Sequence, residues 1–151
     1  MIAFALYRLA ILMTVAFLSA QAAGPREEVG LLCGNLVHRE YTPSKNAPDT
    51  LLVKDNALRN VSLRLYPVQD GEPCCGSRSP SAETVSGHGG HFKFRKQSAG
   101  DYWVVASYKS RDFVTSIQYR PRGSHDVSCS ELTYAIEDSG RFGVGRTITV
   151  E

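Results

Sequence analysis

Beyond residue 22 the apolar residues of this chain alternate with polar ones, and nowhere do they recur at the 3.6-residue period of a helix. Val61, Leu63 and Leu65 alternate with Ser62 and Arg64, and Phe92 and Phe94 alternate with His91, Lys93 and Arg95. Phe113, Thr115, Ile117 and Tyr119 share one face of a third run. Leu132, Tyr134 and Ile136 share a face of a fourth, and Ile148 with Val150 marks a last one. Tyr102-Trp103-Val104-Val105-Ala106 is apolar on both faces, as a central strand should be. Successive strand side chains point to opposite faces, so each of these runs must cover its apolar face with a second sheet. With an opening strand over residues 31–38, the pattern predicts an all-β sandwich of about seven strands and no helix.

Turn residues punctuate the runs. They are Asp70-Gly71-Glu72-Pro73, Gly87-His88-Gly89-Gly90, Ser98-Ala99-Gly100-Asp101 and Ser139-Gly140. Two connections are long. Residues 40–59 carry Pro43 and Pro48, with 50–53 as a candidate extra strand, and residues 71–80 hold a cysteine pair. Long loops on a rigid sandwich are where binding usually resides.

Residues 1–22 have the form of a secretory signal peptide. Arg8 is the positive end, residues 9–18 are apolar, and Ala20-Gln21-Ala22 offers a small-x-small cleavage site. The alternative is an uncleaved anchor, but the run is short for a span of about 20 residues. Cleavage removes one cation from a formal charge of +2 and leaves residues 23–151 with no second apolar segment of spanning length. The reading is an exported protein, periplasmic or secreted, with no stable membrane span after cleavage. The near-neutral charge carries no sustained basic run, so nucleic acid is not an expected partner.

Four cysteines, Cys33, Cys74, Cys75 and Cys129, are an even set in an exported chain and imply disulfides. A Cys74–Cys75 bridge closes a small ring across one peptide bond. The expectation is therefore at least one long-range bridge from Cys74 or Cys75 to Cys33 or Cys129. A metal site is the alternative, but adjacent cysteines lack the C-x-x-C spacing that grips one ion.

Catalytic patterns are weak. Ser124-His125-Asp126 contains the letters of a triad, yet adjacent residues cannot face one another as a triad requires. Glu27-Glu28 and Glu137-Asp138 are paired carboxylates with the character of solvated charges. His88 and His91 around a glycine turn could ligate a metal, but bring no further ligand with them in sequence. No catalytic residue, metal or cofactor is expected. Trp103 points away from the face shared by Tyr102, Val104 and Ala106. Outward, it offers a flat apolar ring and an N–H donor to a sugar, with Tyr108 as a neighbouring aromatic; the alternative is that the 40–59 loop covers it. Lys93, Arg95, Lys96, Lys109, Arg111, Arg120 and Arg122 lie on strand faces and turns, where they form a solvated face or attract anionic polymers. Asn60-Val61-Ser62 has the form of a glycosylation sequon.

The order of these motifs resembles the carboxypeptidase regulatory-like domains. Leu32-Cys33-Gly34-Asn35-Leu36 is followed by Val61-Ser62-Leu63, then Thr84, Gly90-His91-Phe92-Lys93-Phe94 and Gly100-Asp101-Tyr102-Trp103-Val104. The match covers residues 31–108. It implies a transthyretin-like (prealbumin-like), immunoglobulin-like sandwich as a single domain over residues 23–151. Gly90 and Gly100 would then make tight turns that feed the Phe92 and Tyr102 strands. Relatives of this kind bind sugars or proteins, or accompany a catalytic domain. The Lys–Asn isopeptide bond of adhesin-type members is not expected, because residues 31–38 hold no Lys and residues 146–151 no Asn. The Tyr-Arg-Gly-Ser tail of the hydroxyisourate hydrolases is interrupted here, at Tyr119-Arg120-Pro121-Arg122-Gly123-Ser124, and is not terminal. The resemblance therefore implies a non-enzymatic module. Its partner would be an envelope or extracellular protein, or a glycan taken by Trp103 and Tyr108.

Overall fold

The computed structural model describes residues 29–70, 72–121 and 132–146, and within them the chain is an all-β sandwich of two sheets. In chain order the strands are β1 (Val29–Pro43), β2 (Leu51–Ala57), β3 (Ser62–Pro67), β4 (Ala82–Val85), β5 (His91–Ser98), β6 (Gly100–Tyr108), β7 (Arg111–Tyr119), β8 (Leu132–Glu137) and β9 (Phe142–Arg146). One sheet runs β2-β1-β8-β9 with β5 also on β1; the other runs β4-β3-β6-β7. One helical turn, a 3-10 turn at His88–Gly90, interrupts the strands. No helix among the described residues is long and apolar enough to cross a membrane.

Strand β1 organises its sheet. Residues 29–35 pair antiparallel with β5, residues 37–43 pair antiparallel with β2 along the same edge, and residues 35–39 pair parallel with β8 on the other edge. The alternation read from sequence sets which side chains go inward. Leu32 and Leu36 of β1, Phe92 and Phe94 of β5, and Tyr134 and Ile136 of β8 meet Leu63, Leu65, Val104 and Ala106 of the opposite sheet. The Phe92 ring packs edge-to-face on Tyr134 (centroids 4.9 Å apart) and on Phe94 (5.8 Å), contacts worth about 0.5–1.5 kcal/mol each beyond simple burial. Tyr134 is fully buried, and that burial holds its phenol above the ordinary tyrosine range.

Two glycines let the sheet close. Gly34 lies under the Tyr134 ring, where a Cβ would come within 2.5 Å of Cε2. Gly90 has φ +78 and its backbone abuts the carbonyl of Leu36, so any side chain there would collide with main chain.

Several expectations need correction. The described residues form nine strands where about seven are expected: the candidate strand at 50–53 is β2, which begins at Leu51, Ala82–Val85 adds β4, and β1 continues to Pro43. The 40–59 stretch holds a two-stranded hairpin exposed on both faces, and the apolar run at 50–53 is its sequence sign. Gly100 is not a tight turn. It opens β6 opposite Tyr119, at no positive φ, and a Cβ would make ordinary contact with the Tyr102 ring at 3.5 Å. Where a long-range bridge from the cysteine pair is expected, the structure sets the sulfurs of Cys74 and Cys75 against each other. Cys75 (φ 76) and Gly76 (φ 49) are both left-handed, which curls the loop on itself. Cys33 is separately disulfide-bonded and buried on β1. Cys129, Glu27, Glu28, Arg122, Ser124, His125, Asp126, Ile148 and Val150 lie outside the described residues.

Gly90→Ala is expected to destabilise the domain by more than about 2 kcal/mol, from the left-handed backbone plus the collision at Leu36. Gly143, whose Cβ would meet nothing within 4 Å, is the matched control. Gly143→Ala should stay within about 0.5 kcal/mol of wild type. Urea melts of both variants check this; equal stability of the two would contradict the packing described.

Candidate functional site

Trp103 lies on the face of β6 that points away from the core, between Tyr66 of β3 and Ser116 of β7. Tyr102, Val104 and Ala106 belong to the core cluster and Trp103 does not. Trp103 is half-buried all the same. Its indole N–H is enclosed and has no acceptor among the described residues. Tyr66 beside it is buried. Tyr108 is five residues along the same strand, an odd offset that puts it on the opposite face. There it packs partly against the core and lies 6.0 Å, ring to ring, from His38. The structure does not bring Trp103 and Tyr108 into one platform. The 40–59 segment, named above as a cover for Trp103, is instead paired to β1 in the other sheet.

The same outward face of β6 carries a polar brace. Arg64 donates to Asp112 Oδ2 at 2.8 Å and to Ser107 Oγ at 3.0 Å, and Ser107 donates to Asp112 Oδ1. The Ser107 hydroxyl, and after it the Arg64 guanidinium, hold the Asp112 carboxyl below its ordinary value against the opposing effect of desolvation.

A second cluster was not legible in sequence. His38, buried at one end of the sandwich, has Nε2 2.8 Å from Asp138 Oδ1 and Nδ1 3.5 Å from Glu40 Oε1. His38 and Glu40 stand two residues apart on β1, and Asp138 comes from the β8–β9 turn. Only the parallel β1–β8 pairing, His38 opposite Ile136, brings them together. The even numbering of His38 with Leu32 and Leu36 was the available signal that it faces inward. A catalytic imidazole needs one nitrogen free for a nucleophile. Here Nε2 is hydrogen-bonded to Asp138, which ties β1 to the β8–β9 turn, and Nδ1 is turned toward Glu40.

His88 and His91 are exposed around the 3-10 turn. Among the described residues, no group of three or more His, Cys, Asp or Glu side chains could hold a metal. Asn60, in the sequon, is exposed at φ 59 just before β3.

The largest departure from an ordinary sandwich is an arm. The pairing of β1 with β8 ends at Arg39, whereas its pairing with β2 runs on to Pro43. Among the described residues, 40–43 and 51–54 are therefore a two-stranded ribbon with no third strand. Tyr41, Leu51, Leu52 and Val53 are all exposed there, the last three at 58, 54 and 56 %. Leu51 and Val53 point to one face and Leu52 to the other. The ribbon is fixed at its base by the two-pronged Arg39–Asp55 pair, both bonds 2.7 Å, and by the Tyr41 hydroxyl on Glu137 at 2.9 Å. Its tip is closed by Ser44 N–H to the Thr50 carbonyl at 2.8 Å. Among the described residues β2 pairs with β1 alone, so its outer edge carries unpaired backbone groups.

No protein-family model, curated protein or solved structure matches the chain.

The sequence has one tryptophan, which makes the Trp103 geometry directly measurable. Native emission should lie to the blue of the urea-unfolded chain, and acrylamide should quench it at an intermediate rate. Native and unfolded chains quenched alike would contradict the half-burial of the ring.

Proposed function

We propose that this chain is a non-enzymatic interaction module of the carboxypeptidase regulatory-like type, exported to an envelope or extracellular space, and that it docks a protein partner through the β1–β2 arm. One observation carries the reading: three consecutive apolar residues, Leu51, Leu52 and Val53, stand exposed on a strand whose outer edge pairs with nothing among the described residues. An exposed, apolar, unpaired edge is a hazard that folded proteins ordinarily blunt with charge, proline or a covering segment. Retained and braced at its base by Arg39–Asp55, it is suited to accept a strand from another protein, with main-chain bonds giving affinity and Leu52 on one face and Val53 on the other giving selectivity.

The family assignment rests on where the quoted motifs fall. Gly34 lies in β1, Val61-x-Leu63 leads into β3, Phe92-x-Phe94 lies in β5, and Tyr102-x-Val104 lies in β6, with their apolar members in one core between two sheets. Export rests on the leader-like residues 1–22 and on paired cysteines. Carbohydrate binding at Trp103 has less behind it, because the indole N–H is enclosed and the neighbouring tyrosine is buried.

The test is capture from the envelope and medium of the native source, with wild type beside Leu52→Asp and Val53→Asp. Both substitutions fall on exposed sites and should leave stability within about 0.5 kcal/mol. A discrete protein retained by wild type and lost with both variants is expected. Retention of the same proteins by all three, or a glycan-array signal that Trp103→Ala alone removes, would contradict the arm reading.

A further inference from the structure

The β1–β5 ladder holds an irregularity that gathers charge. Leu32 pairs with Phe94 and Gly30 with Gln97, so Arg95 and Lys96 together stand opposite the single residue Leu31. This is a β-bulge on β5, and Lys96 takes it at φ 56, a left-handed conformation unusual for a lysine. Strict alternation would send Lys96 inward after Phe92 and Phe94. The extra residue keeps it outside, beside Arg95, and Gln97 takes the buried position. Lys93 is already outward by parity. Three cations, all exposed, thus flank one shallow groove of about 320 Å³, whose other lining residues are Val29, Gly30 and Leu31. None of the three forms an ion pair with a described residue, although other surface arginines, Arg39, Arg64, Arg78 and Arg120, do.

Three adjacent cations with no counter-charge among the described residues favour an anion that accepts several hydrogen bonds at once. Val29, 56 % exposed, and Leu31 add an apolar wall next to them. We propose that the groove over the β5 bulge binds a phosphate or sulfate monoester, with Lys93, Arg95 and Lys96 contacting the oxyanion and Val29 and Leu31 packing on the group that bears it. The site lies at the start of β1, about ten residues from the arm at its other end, and does not depend on the arm's role.

The test is fluorescence anisotropy of the full exported chain with a labelled sulfated oligosaccharide at 150 mM salt. A parallel arm measures sedimentation with vesicles containing phosphatidic acid. Lys93→Gln, Arg95→Gln and Lys96→Gln should each weaken binding by about threefold or more, and the triple variant should abolish it. Inorganic phosphate should compete. Lys45→Gln, an exposed cation at the hairpin tip, should change nothing. Lys96→Gly separates charge from backbone, because glycine accepts the left-handed conformation; it should melt at or above the wild-type temperature and still bind more weakly. Groove-dependent binding in either arm supports the site, and the arm in which it occurs tells a soluble ester from a lipid headgroup. No binding in both arms would overturn it. So would an equal loss in Lys45→Gln, or binding seen only after Glu27→Gln with Glu28→Gln, which would mean that the chain's own carboxylates occupy the groove.

Discussion

The contact on which this fold depends is the approach of the Gly90 backbone to the carbonyl of Leu36. It joins the 3-10 turn before β5 to the middle of β1, the strand that binds three others. With Gly90 seated there, β5 enters in the register that sends Phe92 and Phe94 inward. Tyr134 then lies across Gly34 and closes the same layer from β8. A one-residue slip in any of these ladders would put the phenylalanines in water, so two glycines and one tyrosine fix the alignment of the whole sheet.

That tight centre contrasts with the margins. Beyond Arg39 the described sheet thins to two strands, and its apolar residues stand exposed. At the opposite end of β1, the bulge in β5 turns out a lysine that alternation would have buried. Both features spend regularity at an edge while the core stays regular. Irregular edges and bulges are commonly where sandwiches meet ligands and partners. The two ends of one strand thus offer chemically different surfaces, one apolar with a free backbone edge and one cationic.

Much of the architecture was legible because buried strands advertise themselves. Leu63 with Leu65, Phe92 with Phe94, and Tyr134 with Ile136 alternate cleanly, and each pair lies in the core. The arm was legible only in part: the apolar run at 50–53 marks β2, but a ribbon wet on both faces has no apolar period, and Tyr41-Thr42-Pro43 resembles a loop. His38, Glu40 and Asp138 were missed for a different reason: a parallel pairing between residues a hundred positions apart leaves no local trace. In the 71–80 loop Cys75 and Gly76 are both left-handed, and the Cys74 and Cys75 sulfurs lie against each other, a local contact that the spacing of the cysteines does not announce. Trp103 was placed on the correct face, yet facing outward did not make it open.

The central claim is that the β2 edge is free in the isolated chain and filled by a partner. Native-state amide hydrogen exchange tests it most directly, with residues 40–43 and 51–54 compared with β6. In the isolated chain the arm amides should exchange far faster than those of β6, which is paired on both edges. Adding the captured partner should slow the arm amides and leave β6 unchanged. Arm amides already protected like those of β6 in the isolated chain would contradict the account, because the edge would then be covered from within.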